Sequence, residues 1–123
     1  GCCVQAAPRD YARMGQFILN GALVNGQSIV PDGWWADATT KRTGIDVPGR
    51  GYGYQWWTYD DGSYTARGIF GQGIFIDPKR KLVIVSNANW AGGARDKVAT
   101  AARDAFYREV QKAIDDEGVT AAK

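Results

Sequence analysis

Four consecutive apolar, β-prone residues, Leu82-Val83-Ile84-Val85, place the strongest constraint on the fold of this chain. They follow Asp77-Pro78-Lys79-Arg80, a polar segment with a proline that is typical of a tight turn. The side chains of an uninterrupted apolar strand are apolar on both faces of the sheet, so both faces must be covered. The sequence therefore predicts a strand at 81–88, paired with the preceding apolar run through a hairpin at Pro78.

Strand-like and helical patterns divide the rest of the chain. Aromatic and β-branched residues predict strands at 52–59 and 64–77. Three- and four-residue apolar spacings within Ala6 to Leu23 predict an amphipathic helix with Pro8 near its start, and Asn20-Gly21 stops the pattern. A short second helix is expected after Pro31. The expected organisation of residues 1–123 is a helical part at 6–38, a loop at 39–51, strands at 52–88 and a C-terminal helix at 95–117.

The order helix, three strands, helix predicts an α+β fold with an antiparallel sheet. Val98, Phe106 and Val110 lie on the apolar stripe of the C-terminal helix, so we expect them to pack on the sheet. A chain of 123 residues fits one domain or a piece of a larger one. Because the apolar strand needs cover on both faces, we expect uncovered apolar surface and a tendency to self-association.

Composition narrows the chemistry. The chain has no histidine, and its two cysteines are the neighbours Cys2 and Cys3, which argues against a disulfide framework and against a Cys/His zinc site. We expect neither a metal nor a cofactor. The net charge of +2 comes from interspersed charges, so no nucleic-acid partner is expected. No apolar run approaches the roughly 20 residues of a membrane span.

The tryptophan pairs have an alternative functional interpretation, and the serines do not. The pairs Trp34-Trp35 and Trp56-Trp57 are typical of core packing, but they also fit a platform that stacks on sugars. A non-catalytic α+β binding module is therefore the alternative function. Serine nucleophiles of the Ser-x-x-Lys type are excluded within the chain, because no serine is followed three residues later by lysine.

The stretch 66–78 is unusual because glycines at 68, 71 and 73 interrupt an otherwise apolar run. Glycine weakens the interior of a strand, but it is favoured where a ligand or another backbone comes close. The pattern fits two structures equally: a glycine-kinked strand with a bulge, or the edge of a cleft that presents backbone N–H groups to a substrate oxygen.

The run from Arg67 to Val85 resembles the active-site strand and hairpin of the β-lactamase-related, penicillin-recognising serine hydrolases of bacteria. Matching motifs occur in the family's order along nearly the whole chain: Gly1-Cys2-Cys3-Val4, Pro8-Arg9-Asp10-Tyr11-Ala12-Arg13, Ile29-Val30-Pro31 and Tyr52-Gly53-Tyr54-Gln55-Trp56-Trp57. Ordered agreement is more specific than one short motif. The segment Gly68-Ile69-Phe70-Gly71-Gln72 is most similar to the 6-aminohexanoate-dimer hydrolases and related esterases.

This resemblance implies an α/β/α sandwich of the β-lactamase/transpeptidase type, with helices on both sides of an antiparallel sheet. It also implies a serine nucleophile in a Ser-x-x-Lys motif, with the lysine and the tyrosine of a Tyr-x-Asn motif moving protons. Residues 1–123 contain neither Ser-x-x-Lys nor Tyr-x-Asn. We therefore expect the C-terminal segment of a longer serine hydrolase, inactive alone, whose missing N-terminal part is its structural partner.

The resemblance further implies where the site lies. Ala66-Arg67-Gly68 takes the place of the family's Lys-Thr-Gly or His-Gly-Gly motif, and the backbone N–H of Ile69 takes the place of an oxyanion-hole donor. Ala66, Arg67, Gly68 and Gln72 are the expected substrate-binding residues.

Ala66 departs from the family pattern, which often has Lys or His there. Without that polar side chain, a small-molecule amide or ester is the expected substrate rather than a β-lactam. A register shifted to Phe70-Gly71-Gln72 is the alternative placement of the motif.

Overall fold

The structure is a computed structural model that describes residues 4–121, so Cys2 and Cys3 lie outside the described residues. It contains three α-helices, a short 3-10 helix at Gly93–Arg95 and eight strands. The helices are α1 Pro8–Leu19, α2 Trp34–Thr39 and α3 Lys97–Ala121. The strands are β1 Leu23–Val24, β2 Gln27–Ser28, β3 Thr43–Gly44, β4 Arg50–Tyr52, β5 Trp57–Tyr59, β6 Tyr64–Arg67, β7 Gly73–Asp77 and β8 Leu82–Ser86.

Strands β3 to β8 form one antiparallel sheet in chain order, and β8 is its last strand. The predicted hairpin at Pro78 is confirmed, since Asp77 of β7 pairs with Leu82 of β8. The carboxylate of Asp77 holds the turn by accepting the N–H of Arg80 at 3.2 Å. A mixed α/β fold with an antiparallel sheet and a C-terminal helix is therefore confirmed, as the sequence predicted.

Two predicted strands are each divided into two. The run 52–59 breaks after Tyr52, where Gly53 donates to the carbonyl of Trp56 at 2.8 Å and Gln55 has a φ of 66°. The run 64–77 breaks at residues 68–72, and its halves pair as the hairpin β6–β7. The prediction of single strands was wrong because aromatic and apolar residues within both turns, such as Tyr54, Ile69 and Phe70, continue the strand pattern despite the glycines beside them.

The predicted loop at 39–51 differs from the structure, whereas the predicted end of the first helix is confirmed. Residues 39–51 contain the short strand β3 and most of β4 rather than loop alone. The first helix ends at Leu19 with Asn20 as its C-cap, as the Asn20-Gly21 stop predicted, and Gly21 and Ala22 follow with positive φ values of 83° and 54°. The Asn25-Gly26 turn then joins β1 to β2, with both residues at positive φ as a tight hairpin requires.

Helices cover both faces of β7, so the chain has the three layers of an α/β/α arrangement. On one face, α1 approaches so closely that a Cβ on Gly15 would lie 2.5 Å from Val83 and 3.1 Å from Ile74. On the other face, the ring of Tyr107 from α3 stacks on Phe75 with centroids 4.4 Å apart. The consecutive residues Ile74 and Phe75 of β7 therefore contact helices on opposite sides of the sheet.

The face by which α3 meets the sheet corrects the sequence prediction. Val98 is 82% exposed and Phe106 is 55% exposed, while Val110 is only half-buried. The buried side chains are instead Asp104, Tyr107 and Gln111, which recur at i, i+3 and i+7. The prediction failed because the sheet presents charged groups to this helix, so polar partners replace an apolar stripe.

Tyr107 and its neighbour Phe106 provide a matched test of this orientation. Tyr107→Ala should lower the free energy of unfolding by about 3 kcal/mol or more, because it empties the space over Phe75. Phe106→Ala should change it by about 0.5 kcal/mol or less, since the ring is largely in water. Urea denaturation of the complete protein, followed by tryptophan fluorescence, measures both; equal losses would contradict the described orientation of α3.

Candidate functional site

The connection between β6 and β7 is a tight turn at residues 68–72. The N–H of Gly68 donates to the carbonyl of Gln72 at 2.9 Å, and the N–H of Gly71 donates to the carbonyl of Gly68 at 3.3 Å. Ile69 and Phe70 therefore occupy the two corner positions of a β-turn. The turn projects beyond the sheet at the end of β6, where the sequence places the Ala66-Arg67-Gly68 motif.

Gln72 stabilises this turn from within. Its Oε1 accepts the N–H of Phe70 at 3.1 Å. The same oxygen would lie 2.4 Å from a Cβ placed on Gly68, so only glycine leaves room for the glutamine side chain. The side-chain carbonyl of Gln72, expected to bind substrate, is therefore engaged in the turn.

Ile69 carries a backbone donor that the turn leaves unused. Among the described residues 4–121, its N–H has no hydrogen-bond acceptor, whereas the amides of Gly68, Phe70 and Gly71 each have one. Its side chain is 64% exposed. An exposed turn amide with no internal acceptor can donate to a ligand oxygen without giving up another bond.

Gly71 and Trp90 hold the far side of the turn. Gly71 has a φ of 90°, and a Cβ on it would lie 2.3 Å from the indole of Trp90. The backbone N–H of Trp90 donates to the carbonyl of Phe70 at 2.9 Å. The indole therefore packs directly on the turn backbone, and a left-handed glycine is required there.

Arg67 and Ala66 lie on opposite faces of β6, as consecutive strand residues must. The guanidinium of Arg67 points towards α3, donates to the hydroxyl of Tyr59 and lies 3.7 Å from the carboxylate of Asp104. It also stacks 5.5 Å from the ring centre of Trp57. Ala66 packs beside the apolar core on the α1 side.

A cavity of about 420 Å³ opens at this end of the sheet. All five residues expected at the site line it, so the structure brings Ala66, Arg67, Gly68, Ile69 and Gln72 together around one space. The remaining lining residues are Val4, Tyr11, Phe70, Gly73, Ile74, Ser86 and Asn87.

A buried charge cluster on α3, which the sequence analysis did not identify, lies beneath this region. The Asp104 carboxylate pairs with Arg50, with Arg67 at 3.7 Å and with Arg103 at 3.2 Å. Only 6% of its side-chain surface is exposed. The sequence signal for this buried face was the i, i+3, i+7 spacing of Asp104, Tyr107 and Gln111, which apolar periodicity overlooks.

Tyr107 places a hydroxyl under the first residue of β7. A Cβ on Gly73 would lie 3.0 Å from this oxygen, so the position has little room for a larger residue. Burial raises the pKa of Tyr107 above its ordinary value of 10.0, and nearby Arg103 acts in the opposite direction. The phenol is therefore neutral at neutral pH and is not a base in this position.

A second cavity of about 310 Å³ lies between the Asp60–Ser63 turn and α3. Asp61 lines it and accepts hydrogen bonds from the N–H of Ser63 at 2.9 Å and from Gln111 at 3.1 Å. Burial alone would raise the pKa of Asp61, but the bonds from Ser63 and Gln111 outweigh it and lower the pKa. This carboxylate connects the turn to α3.

Trp34, Trp35 and Trp56 form one series of ring contacts, and Trp57 has other partners. Trp56 is buried against Tyr64, at 5.2 Å between ring centres, and Trp35 packs on Trp56 at 6.4 Å. Trp57 contacts Arg67 instead, while Trp34 is 37% exposed. All four rings pack against other side chains of the chain, since the ring centre of Trp34 also lies 5.0 Å from that of Trp35.

Two absences concern the described part of the chain. None of its helices combines the length and apolar character that crossing a membrane requires. Within the same residues, no group of three or more His, Cys, Asp or Glu side chains is arranged to hold a metal ion.

The antiparallel sheet between helices and the glycine turn beside a cavity define a β-lactamase-type hydrolase fold. The family model described as Beta-lactamase matches residues 4–109, and the chain belongs to this family.

Among individual proteins, the chain is 30% identical over 98 residues to the 6-aminohexanoate-dimer hydrolase of Paenarthrobacter ureafaciens. This match covers 71% of this chain and 25% of that protein. It also superposes on a solved structure of a putative 6-aminohexanoate-dimer hydrolase from Bacillus anthracis, with a TM-score of 0.67 and 30% identity. That match covers 90% of this chain and 30% of the other. The chain therefore spans about a quarter to a third of the length of these relatives.

Two glycines with similar backbone angles test the contact between the turn and Trp90. Gly62 has a φ of 86° with no atom near its Cβ position, whereas Gly71 faces Trp90 at 2.3 Å. Gly62→Ala should cost about 1–2 kcal/mol of unfolding free energy from backbone strain alone. Gly71→Ala should cost about 1–3 kcal/mol more because it also displaces the indole. Urea midpoints compare the two, and equal costs would exclude the described packing.

Proposed function

We propose that this chain supplies the oxyanion-donor strand of a serine hydrolase that cleaves amide or ester bonds through an acyl-enzyme. The observation that carries the proposal is the N–H of Ile69, which has no acceptor among residues 4–121 and belongs to an exposed turn residue that lines a cavity. Membership of the Beta-lactamase family supports a hydrolase role.

The chemistry requires such a donor. When a serine oxygen attacks a carbonyl, the carbonyl oxygen becomes an anion, and fixed N–H groups stabilise it more in the transition state than in the substrate. Ile69 donates one hydrogen bond in our proposal, and the amide of the nucleophilic serine donates the other. Gly68, next to Ile69, leaves room for the side chain of Gln72, which holds the turn in this shape.

The hydrogen bonding of the turn favours Ile69 over the alternative register at Phe70-Gly71-Gln72. The N–H of Phe70 is already accepted by Gln72 at 3.1 Å, and that of Gly71 by Gly68 at 3.3 Å. Either amide would have to break an existing bond before it could bind substrate. The N–H of Ile69 can bind substrate without breaking a hydrogen bond of the turn.

The side chains around the turn favour a neutral substrate. Ala66 provides no charge, and the guanidinium of Arg67 is paired with Asp104 and lies on the α3 side. A β-lactam carboxylate would therefore find no unpaired cation on this strand. We propose a short linear amide or ester as the substrate class, and the names of the two relatives make the 6-aminohexanoate dimer a suitable amide to assay.

The remaining catalytic groups are proposed to come from the rest of the protein. The chain covers 25% of one relative and 30% of the other, and it contains neither Ser-x-x-Lys nor Tyr-x-Asn. Strand β8 is the last strand of the sheet and its residues are only half-buried, which leaves an edge for upstream chain to cover. We propose that residues 1–123 alone are inactive.

Replacing Ile69 in the complete protein tests the donor. Ile69→Pro removes the N–H at the first corner of a β-turn, a position that proline favours, so the fold should tolerate the change. We expect kcat for hydrolysis of p-nitrophenyl butyrate to fall about 100-fold or more, as for other lost oxyanion donors. Ile69→Ala keeps the N–H and should retain kcat within about threefold, because the side chain is largely exposed.

Melting temperatures of both variants provide the control for folding. A folded Ile69→Pro variant with near-normal kcat would show that Ile69 is not the donor. It would then favour the register at Phe70-Gly71-Gln72.

A further inference from the structure

We infer that the adjacent residues Arg103 and Asp104 of α3 are positioning residues that hold the 68–72 turn from both of its ends. This inference rests on the proposed function, since it concerns the orientation of the Ile69 N–H. Neither side chain reaches Ile69 itself. Each acts through a residue that contacts the turn backbone.

Asp104 acts at the entrance to the turn. Its Oδ1 lies 3.7 Å from the guanidinium of Arg67, which is the last residue of β6 and precedes Gly68. Arg67 is fixed further by the Tyr59 hydroxyl and the Trp57 ring. The carboxylate of Asp104 is the ion-pair partner of Arg67 among the described residues, and the Nε of Arg67 has no hydrogen-bond partner there.

Arg103 acts at the exit of the turn. Its guanidinium carbon lies 5.1 Å from the centre of the Trp90 ring, in cation–π contact, and its Nη2 lies 3.2 Å from Asp104. Trp90 in turn covers Gly71 and donates to the carbonyl of Phe70 at 2.9 Å. The Arg103-Asp104 pair thus connects one point on α3 to both sides of the turn.

The burial of this pair strengthens the interaction between its two side chains. The side chain of Asp104 is 6% exposed and that of Arg103 is 9% exposed, so water screens their interaction weakly. Catalytic donors must be held close to the productive geometry, and errors near 1 Å are costly to rate. A shift of the turn would misdirect the Ile69 N–H without removing it.

The other end of α3 provides a matched control. Asp115 accepts two hydrogen bonds from Arg80, at 2.9 Å and 2.7 Å, and so also connects the helix to the sheet by an aspartate–arginine pair. Arg80 lies in the turn between β7 and β8, outside the residues that line the 420 Å³ cavity. Asp115→Asn therefore weakens the attachment of α3 without touching the 68–72 turn.

The experiment compares Asp104→Asn with Asp115→Asn in the complete protein. The measurements are kcat and KM for p-nitrophenyl butyrate per titratable active site, and the inhibition constant of phenylboronic acid, whose tetrahedral adduct carries an oxygen towards the oxyanion hole. For Asp104→Asn we expect kcat to fall about tenfold, less than the ~100-fold of a lost donor. The boronate inhibition constant should rise by a similar factor and KM should stay within twofold. Asp115→Asn should change none of these values.

A purely structural role would lower the melting temperature and the number of active sites but leave kcat per site and boronate affinity unchanged. That result for folded Asp104→Asn would overturn the inference while the proposed function stands. If Asp104→Asn does not fold, Arg103→Gln decides, because Arg50 and Arg67 still neutralise Asp104. We expect at least a threefold loss of kcat and of boronate affinity, and no change in either would overturn the inference.

A different result, obtained with the wild-type protein, would contradict the proposed function. If the folded wild-type protein neither hydrolyses the ester nor is labelled by a fluorophosphonate, the hydrolase proposal is wrong, and the positioning inference falls with it.

Discussion

Three guanidinium groups converge on the carboxylate of Asp104, and this buried cluster determines how the last helix meets the sheet. Arg50 belongs to β4, Arg67 ends β6 and Arg103 lies on α3 itself. A buried carboxylate is tolerated only when it is paired, so these elements must be in place together. The stacking of Tyr107 on Phe75 then adds apolar contact along the same helix face.

Parts of the fold that follow from local pattern could be predicted from the sequence. The Leu82–Val85 run and the proline turn before it specify the β7–β8 hairpin, because their chemistry permits few alternatives. The orientation of α3 could not be predicted in this way. Helical periodicity selects Val98 and Phe106 as the inner face, but the sheet surface below is charged, and its complement is a polar helix face.

The site shows the same division. The residues Ala66 to Gln72 could be located by their glycines and by resemblance to a family, and they do line one cavity. The turn itself was not predicted, because Ile69 and Phe70 are apolar and continue the strand pattern on either side. The contact of Trp90 with Gly71 also could not be predicted, because no helical or strand spacing connects these two residues.

The central claim is that Ile69 provides a catalytic hydrogen bond, and a crystal structure of the complete protein inhibited by a fluorophosphonate tests it most directly. The phosphonyl oxygen of the adduct stands where the oxyanion forms during hydrolysis. We predict that the nitrogen of Ile69 lies about 2.7–3.1 Å from that oxygen, the distance expected of an oxyanion-hole donor. A phosphonyl oxygen bound instead by the amides of residues 70–72, or by no amide of this turn, would contradict the account.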